Sequence, residues 1–331
     1  MSTLGFSQFA EQNPGKLALA APDGRHWSRG ELLAKCHQIA HSLRFLGIRD
    51  GDSVVALLPN SAELIALKFA LSQIGGVLVP LRYSLCAAEV AHTLKCSGAG
   101  AFIAHEKYHA VARQAADMAN QNNCVNLALG NIEDFLSFNS LIEIYPETTP
   151  ENCRPEYHEA HLIALFDIHP ESNNVHFCGS ELYNPRVMFW ATQCLHSGHA
   201  LVLAQQWNAL AMLHAISQYR VTTSYMFKSQ FEKLLLLPIG VREQYDVSSI
   251  RHVVTDAPSG DPDIIRAMNL WWGDAIYEFY VHHFDYDKVG VQTSYPALEM
   301  EILGKGFRTR ETQNFSESAD TQSQKLSMKN H

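Results

Sequence analysis

Short apolar runs alternate with longer amphipathic stretches along most of this chain. Ser28-Arg29-Gly30-Glu31 has the spacing of a helix capping box. It leads into Leu32, Leu33, Cys36, Ile39, Ala40, Leu43 and Leu46 at helical intervals, closed by Gly47, which predicts a helix. The apolar run Val54 to Leu58 stops at Pro59-Asn60, and a second helical pattern spans Ala62 to Ile74 before Gly75-Gly76. The order then repeats, with Val77 to Val79 as strand, Ala87 to Lys95 as helix and Ala101 to Ile103 as strand.

The second half keeps the rhythm. Leu201 to Leu203 precedes a helix over Ala209 to Gln218, Thr222 to Tyr225 precedes one over Gln230 to Leu237, and Val253-Val254 precedes one over Ile264 to Trp272; Ile276 to Tyr280 reads as a further strand. Strands that alternate with helices of about ten residues or more predict an α/β fold, a parallel sheet covered on both faces. Residues 145–155 carry three prolines and read as a surface crossing between two halves. The division expected is a first α/β subdomain over 1–155, a second over 156–305 and a polar tail over 306–331. The tail is rich in Ser, Thr, Gln and Asn, has few apolar residues to offset ordering entropy, and is expected to be disordered.

Composition narrows the function classes. The 331 residues are 47% hydrophobic and 18% charged, enough apolar content for a large buried core. A formal charge of -9 and a pI near 6.0 argue against nucleic-acid or anionic-lipid partners, which need a dense basic face. No apolar segment reaches the roughly 18 residues that span a bilayer, so a cytoplasmic protein is expected. The seven cysteines (36, 86, 96, 124, 153, 178 and 194) form no Cys-x-x-Cys pair and read as reduced thiols without a ligand role.

Several segments then carry a resemblance. Gly51-Asp52-Ser53-Val54-Val55-Ala56-Leu57-Leu58-Pro59-Asn60-Ser61-Ala62-Glu63, Ile74 to Leu81, the helix containing Glu89, and Cys96 to Ala101 are similar, in order and spacing, to the opening subdomain of adenylate-forming ligases. Phe9 to Pro14 with Trp27 to Leu32 resembles the family's beginning, and Tyr219 to Thr223, Val253 to Met268 and Trp271 to Tyr280 resemble its second subdomain. The chain is thereby identified as a member of the AMP-dependent synthetase/ligase (acyl-CoA synthetase-like) family, over roughly residues 6–304. The resemblance implies two stacked αβαβα-type subdomains, with the C-terminal lid domain absent. It implies chemistry in which a carboxylate joins the α-phosphate of ATP and the acyl group then passes to coenzyme A.

The family's phosphate loop reads aromatic-Thr-Ser-Gly-Thr-Thr-Gly-x-Pro-Lys-Gly. Aligned without gaps from Phe166, this chain has Asp167, Ile168, His169, Pro170, Glu171, Ser172, Asn173, Asn174, Val175 and His176 there, without the glycines or the lysine. The family's Tyr-Gly-x-Thr-Glu segment, whose Glu holds Mg²⁺, is matched by Tyr280, Val281, His282, His283 and Phe284, and a phenyl ring offers Mg²⁺ no oxygen. Asp256, Ala257 and Pro258 stand at the turn that packs adenine, with Asp256 in place of a glycine. Leu182 to Trp190 looks shortened where a segment shaping the acyl pocket would lie.

These substitutions point to a truncated, catalytically degenerate relative that needs no ATP, Mg²⁺ or coenzyme A. It is expected to bind a protein partner or an acyl or aryl acid. The alternative is ligase activity completed by a partner chain, or new chemistry in the old cleft. A metal site at His282-His283 with Asp285 and Asp287, or a thiol and base pair from Cys178 or Cys194 with His176 or His196, competes with ordinary loop and core roles. Those ordinary roles are the expected ones, as they are for His158, His161, His169 and His252. Trp271-Trp272, Tyr277, Phe279 and Tyr280 are expected in the core.

Overall fold

The capping box at Ser28 forms: Ser28 Oγ accepts from Glu31 N at 3.2 Å, and Glu31 Oε2 accepts from Ser28 N at 2.8 Å. These bonds satisfy two donors that a helix start otherwise leaves unpaired. The computed structural model of the chain describes residues 5–120, 123–154, 173–256, 262–281 and 300–305. In chain order its helices are α1 (Phe6–Gln12), α2 (Arg29–Phe45), α3 (Ala62–Ile74), α4 (Ala87–Ser97), α5 (His109–Ala119), α6 (Phe138–Glu143), α7 (Pro185–His196), α8 (Ala209–Tyr219), α9 (Lys228–Leu235), α10 (Ile239–Arg242) and α11 (Pro262–Trp272).

The strands fall into two sheets. One has five strands in the order β4 (Val77–Pro80), β3 (Ser53–Leu57), β5 (Ala101–His105), β6 (Val125–Leu129) and β7 (Leu136–Ser137), all parallel. The other has eight, in the order β13 (Met300–Lys305), β12 (Ile276–Val281), β11 (His252–Asp256), β10 (Thr223–Tyr225), β8 (Val175–Cys178), β9 (Ala200–Leu203), β1 (Leu17–Ala20) and β2 (His26–Ser28). Its interior is parallel, and β2 and β13 run antiparallel at the edges.

Alternation along the strands decides which face meets which helices. Val54 and Ala56 point into a core shared with Leu32, Ile39, Leu67 and Leu71 of α2 and α3, with Trp190 of α7, and with Leu201 and Leu203 of the larger sheet. Val55 and Leu57 point the other way, onto Val90, Leu94, Ala112 and Ala115 of α4 and α5. Phe177, Val202, Val253 and Ile276 face Met212, Phe231, Ile265 and Met268 of α8, α9 and α11. The result is five layers, αβαβα, with α2, α3 and α7 between the sheets. The hairpin β1–β2, which precedes every strand of the smaller sheet in sequence, adds to the larger one and so ties residues 17–28 to the second half of the chain.

The expected surface crossing runs along one flank of α2. His37 Nδ1 lies 2.8 Å from Glu147 O and His41 Nε2 2.9 Å from Thr148 O; Gln38 Nε2 donates to Tyr145 O at 3.2 Å and Arg44 to Glu151 O and Asn152 O. One helix face thus supplies donors to backbone carbonyls that no strand partner satisfies. Arg154, at the end of the crossing, pairs with Asp50 and donates its N–H to Gln73 O at 2.8 Å.

Gly75 closes α3 at φ 77°, a left-handed conformation that disfavours a Cβ, and a Cβ there would press on Asp50 and Arg154. Gly75→Ala is therefore expected to lower stability by about 1–2 kcal/mol, read as a lower urea midpoint with unchanged slope.

Candidate functional site

In an open parallel sheet a crevice forms at the carboxyl ends of two neighbouring strands whose connections leave in opposite directions. In the eight-stranded sheet β8 connects to β9 on one side and β10 to β11 on the other, so the crevice lies beyond Cys178 and Tyr225. In the five-stranded sheet the corresponding point lies between β3 and β5, beyond Leu57 and His105.

Beyond β8 stand Gly179 and Ser180. A Cβ at Gly179 would come within 2.8 Å of the Phe177 ring and 2.9 Å of Trp207, so the backbone passes where a side chain would not fit. Beyond β10 the chain turns into α9, where Gln230 Oε1 accepts from Phe227 N at 2.9 Å and Gln230 Nε2 donates to Ser180 Oγ at 2.7 Å. The two lips are thus bridged by one amide.

Asn60, two residues after Leu58 on the smaller sheet's side, completes the arrangement. Its Nδ2 donates to Ser180 O at 2.9 Å and Ala204 O at 3.0 Å, and its Oδ1 accepts from Leu182 N at 2.8 Å and Tyr83 OH at 3.1 Å. Those four bonds exhaust what a carboxamide can make. Asn60 is 2% exposed, so its bonds work in a poorly solvated setting.

The walls are aromatic. Tyr83 stacks on Tyr108 at 5.7 Å and meets Tyr183 edge-on at 5.0 Å; Tyr225 lies parallel to Trp190 at 6.3 Å, with Phe227 edge-on to it at 5.3 Å. Burial raises the pKa of the Tyr83 and Tyr225 phenols, with the neighbouring Tyr108, Glu181 and Tyr183 adding at Tyr83 and Arg186 opposing at Tyr225. Both rings keep their hydroxyl protons at neutral pH. The crevice is aromatic, its described amides and hydroxyls are neutral and largely paired with one another, and Arg186 brings positive charge to the Tyr225 end.

The structure corrects one expectation. The ungapped alignment carries the phosphate loop through Val175 and His176, but both lie in β8, in the middle of the larger sheet, with Val175 N bonded to Thr222 Oγ1 at 3.0 Å. A run of β-favouring residues between two pairing strands has no freedom to act as a loop. Asp167, Ile168, His169, Pro170, Glu171 and Ser172 lie outside the described residues, as do Ala257, Pro258, His282, His283, Phe284, Asp285, Asp287, His158 and His161. Asp256 ends β11 opposite Phe279, and Tyr280 and Val281 end β12 opposite Glu301 and Met300.

The thiol and imidazole pairs do not form at Cys178, Cys194, His176 or His196. His176 Nδ1 lies 2.9 Å from Thr223 Oγ1, and Cys194 also bonds Thr223. Burial, helped by His199, pushes the His176 imidazole down to about 3, while burial pushes the Cys178 thiol up to about 12 and Cys194 upward as well. All three stay neutral, which suits packing rather than catalysis. His196 accepts from Phe6 N at 3.3 Å and its ring lies 4.8 Å from Phe69, pinning α1. His252 packs on Tyr277 at 5.3 Å, Trp272 and Tyr277 are core residues, and Trp271 is half-buried beneath Arg242. Among the described residues no three His, Cys, Asp or Glu side chains gather as metal ligands, and no helix is long and apolar enough to cross a membrane.

Asn60 and His176 give two expectations. Asn60→Ala leaves Leu182 N, Ser180 O and Ala204 O without their partner, and is expected to cost about 2–4 kcal/mol in a denaturant titration. For His176, above pH 6.5 folded and unfolded chains both hold a neutral ring; between 6.5 and about 3 only the unfolded chain takes the proton. Stability from this group is therefore full above pH 6.5 and falls with pH by about 1.4 kcal/mol per unit. From pH 6.5 to 4.5 the wild type should lose about 2–3 kcal/mol more than His176→Gln; equal losses would contradict a buried neutral ring.

Comparison with known proteins agrees with this geometry. Residues 6–152 match the family model described as AMP-binding enzyme. The chain is 23% identical over 286 residues to 4-coumarate--CoA ligase 3 of Arabidopsis thaliana, covering 78% of this chain and 51% of that protein. It is 28% identical over 328 residues to 4-coumarate--CoA ligase 2 of Oryza sativa subsp. japonica, covering 82% and 55%. The chain thus spans about half the length of these curated relatives. The N-terminal domain of FACL13 from Mycobacterium tuberculosis superposes with a TM-score of 0.71 at 18% identity, over 86% of this chain and 76% of that one. These matches show that residues 6–152 carry the pattern of the AMP-binding enzyme family and that the chain has the fold of the N-terminal domain of acyl-CoA ligase-like proteins.

Proposed function

We propose that this chain is a non-adenylating member of the family that holds an aromatic or acyl carboxylic acid in the crevice between β8 and β10 without activating it. The observation that carries the reading is the character of that crevice. Aromatic rings from Tyr83, Tyr183, Tyr225 and Phe227 stand around neutral groups already bonded to each other, and the Arg186 charge acts on the Tyr225 end. Phosphate transfer needs charge and backbone N–H groups aimed at the phosphates. The described residues at this crevice do not fit a triphosphate with its Mg²⁺, because Gln230 and Asn60 are uncharged and already donate to protein oxygens, with Ser180 accepting from both.

The sequence supports the same reading. Residues 155–174, which precede β8, contain no glycine and no lysine, and Phe284 stands where the family's Mg²⁺-binding glutamate would. Two similar proteins are named for 4-coumarate, an aromatic acid, in keeping with an aromatic wall. On this reading the chain needs no ATP, Mg²⁺ or coenzyme A and acts as a ligand- or partner-binding protein. A second reading, ligation that uses ATP with a partner chain, draws on the similarity to the ligases.

Thermal unfolding of the purified chain with a panel of aromatic and fatty acids, ATP-Mg²⁺, AMP and coenzyme A separates the two. A dose-dependent rise in Tm with an acid alone, reduced in Arg186→Ala, is the expected result. A rise with ATP-Mg²⁺ would favour the second reading and overturn the first.

A further inference from the structure

The crevice has a cation at its mouth that the bonds described above do not involve. Pairing of β4 extends past Pro80 to Leu81, whose N–H donates to Ala56 O at 2.8 Å and whose side chain is buried. Alternation then leaves Arg82 exposed and Tyr83 half-buried. The Arg82 carbonyl accepts from Leu85 N at 3.3 Å, so the backbone is held on both sides of the residue. From this end of the smaller sheet the guanidinium reaches a ring of the larger sheet's lip, with Cζ 6.0 Å from the centroid of Tyr183. Tyr183 in turn meets Tyr83 edge-on at 5.0 Å, so the smaller sheet supplies both a ring and a cation to this contact between the two halves.

A guanidinium drawn to a ring through its charge still has its N–H groups to offer. Among the described residues no hydrogen bond or ion pair engages those of Arg82. Two carboxylates act close by. Glu89 feels the Arg82 charge, but its Oε2 accepts from Cys86 N at 2.8 Å in the cap of α4. Glu181 acts on the Tyr83 phenol, where it repels an anion. An anion entering the crevice therefore meets repulsion at the Tyr83 hydroxyl and attraction at the Arg82 fork beside Tyr183.

On the reading of this crevice as an acid-binding site, we propose that Arg82 recognises the carboxylate of the bound acid. The carboxylate is held at the crevice mouth, and the ring or chain of the acid points inward among Tyr83, Tyr183 and Tyr225. The guanidinium fork matches a carboxylate with two parallel N–H···O bonds, whereas a neutral amide of the same size offers one acceptor and no charge. A carboxylate tied to Arg82 has its oxygens engaged at the rim, in keeping with binding that stops short of activation. Lys107 stands at the other end of the same row of rings, with Nζ 5.8 Å from the Tyr108 ring that stacks on Tyr83. It carries the same charge away from the Tyr183 contact and so provides a control.

The test is titration calorimetry of the full chain at pH 7 with two pairs of probes, cinnamate with cinnamamide and octanoate with octanamide. The wild type is expected to bind at least one of the acids roughly tenfold or more tighter than its amide. Arg82→Gln is expected to bind that acid no tighter than the amide. Lys107→Gln, which removes an equal charge, is expected to weaken the acid by about twofold or less. Both side chains are exposed, so each ligand-free variant should melt within about 2 °C of the wild type. Equal binding of acid and amide by the wild type, or equal weakening in the two variants, would overturn the role of Arg82 and leave the crevice as a binding site. Binding of none of the four probes would overturn both.

Discussion

The amide of Asn60 is the constraint on which the crevice depends. It reaches from the carboxyl end of the smaller sheet to the backbone of Ser180, Leu182 and Ala204 on the larger one, and it also holds the Tyr83 hydroxyl. A shared apolar layer of helices can hold two sheets together, but it does not fix their carboxyl ends within a few tenths of an ångström. Directional bonds in a poorly solvated place do that. Because Ser180 also accepts from Gln230, the position of the second crevice lip relative to the first is set by the same chain of contacts.

The elements bounded by local chemistry were legible in the sequence. Helix α3 begins after Ser61, whose side chain accepts from Leu64 N, and ends at Gly75; helix α2 begins at the Ser28 box. Elsewhere the pattern was masked. Helix α5 buries only alanines, Ala112, Ala115 and Ala119, which carry little hydrophobic contrast, and α7 is buried from Val187 to His196 on every side, leaving no polar period to read. The hairpin β1–β2 joins β9 across more than half of the chain, a pairing that no local spacing encodes.

The candidate site divides in the same way. The packing roles of Cys178 and Cys194 followed from their residue type, because burial keeps such thiols neutral. Reading Val175 and His176 as loop came from carrying an ungapped alignment past the start of β8, whose pairing with β9 and β10 local sequence does not reveal. Asn60, Ser180, Gln230 and Tyr83 stood unremarked as chemical groups, since each is ordinary alone and their meeting spans sequence separations of 120 and 50 residues. The doubly wound topology is the signal that finds them: once strand order is known, the crevice lips can be named from the strand ends.

On the proposed reading this crevice accommodates an acid but does not activate it. Exchange of labelled pyrophosphate into ATP tests it most directly, because formation of an acyl-adenylate from acid and ATP releases pyrophosphate reversibly. The purified chain, incubated with ATP-Mg²⁺ and each aromatic or fatty acid in turn, is predicted to give exchange no higher than a protein-free control. Exchange that depends on both the chain and an added acid would contradict the claim.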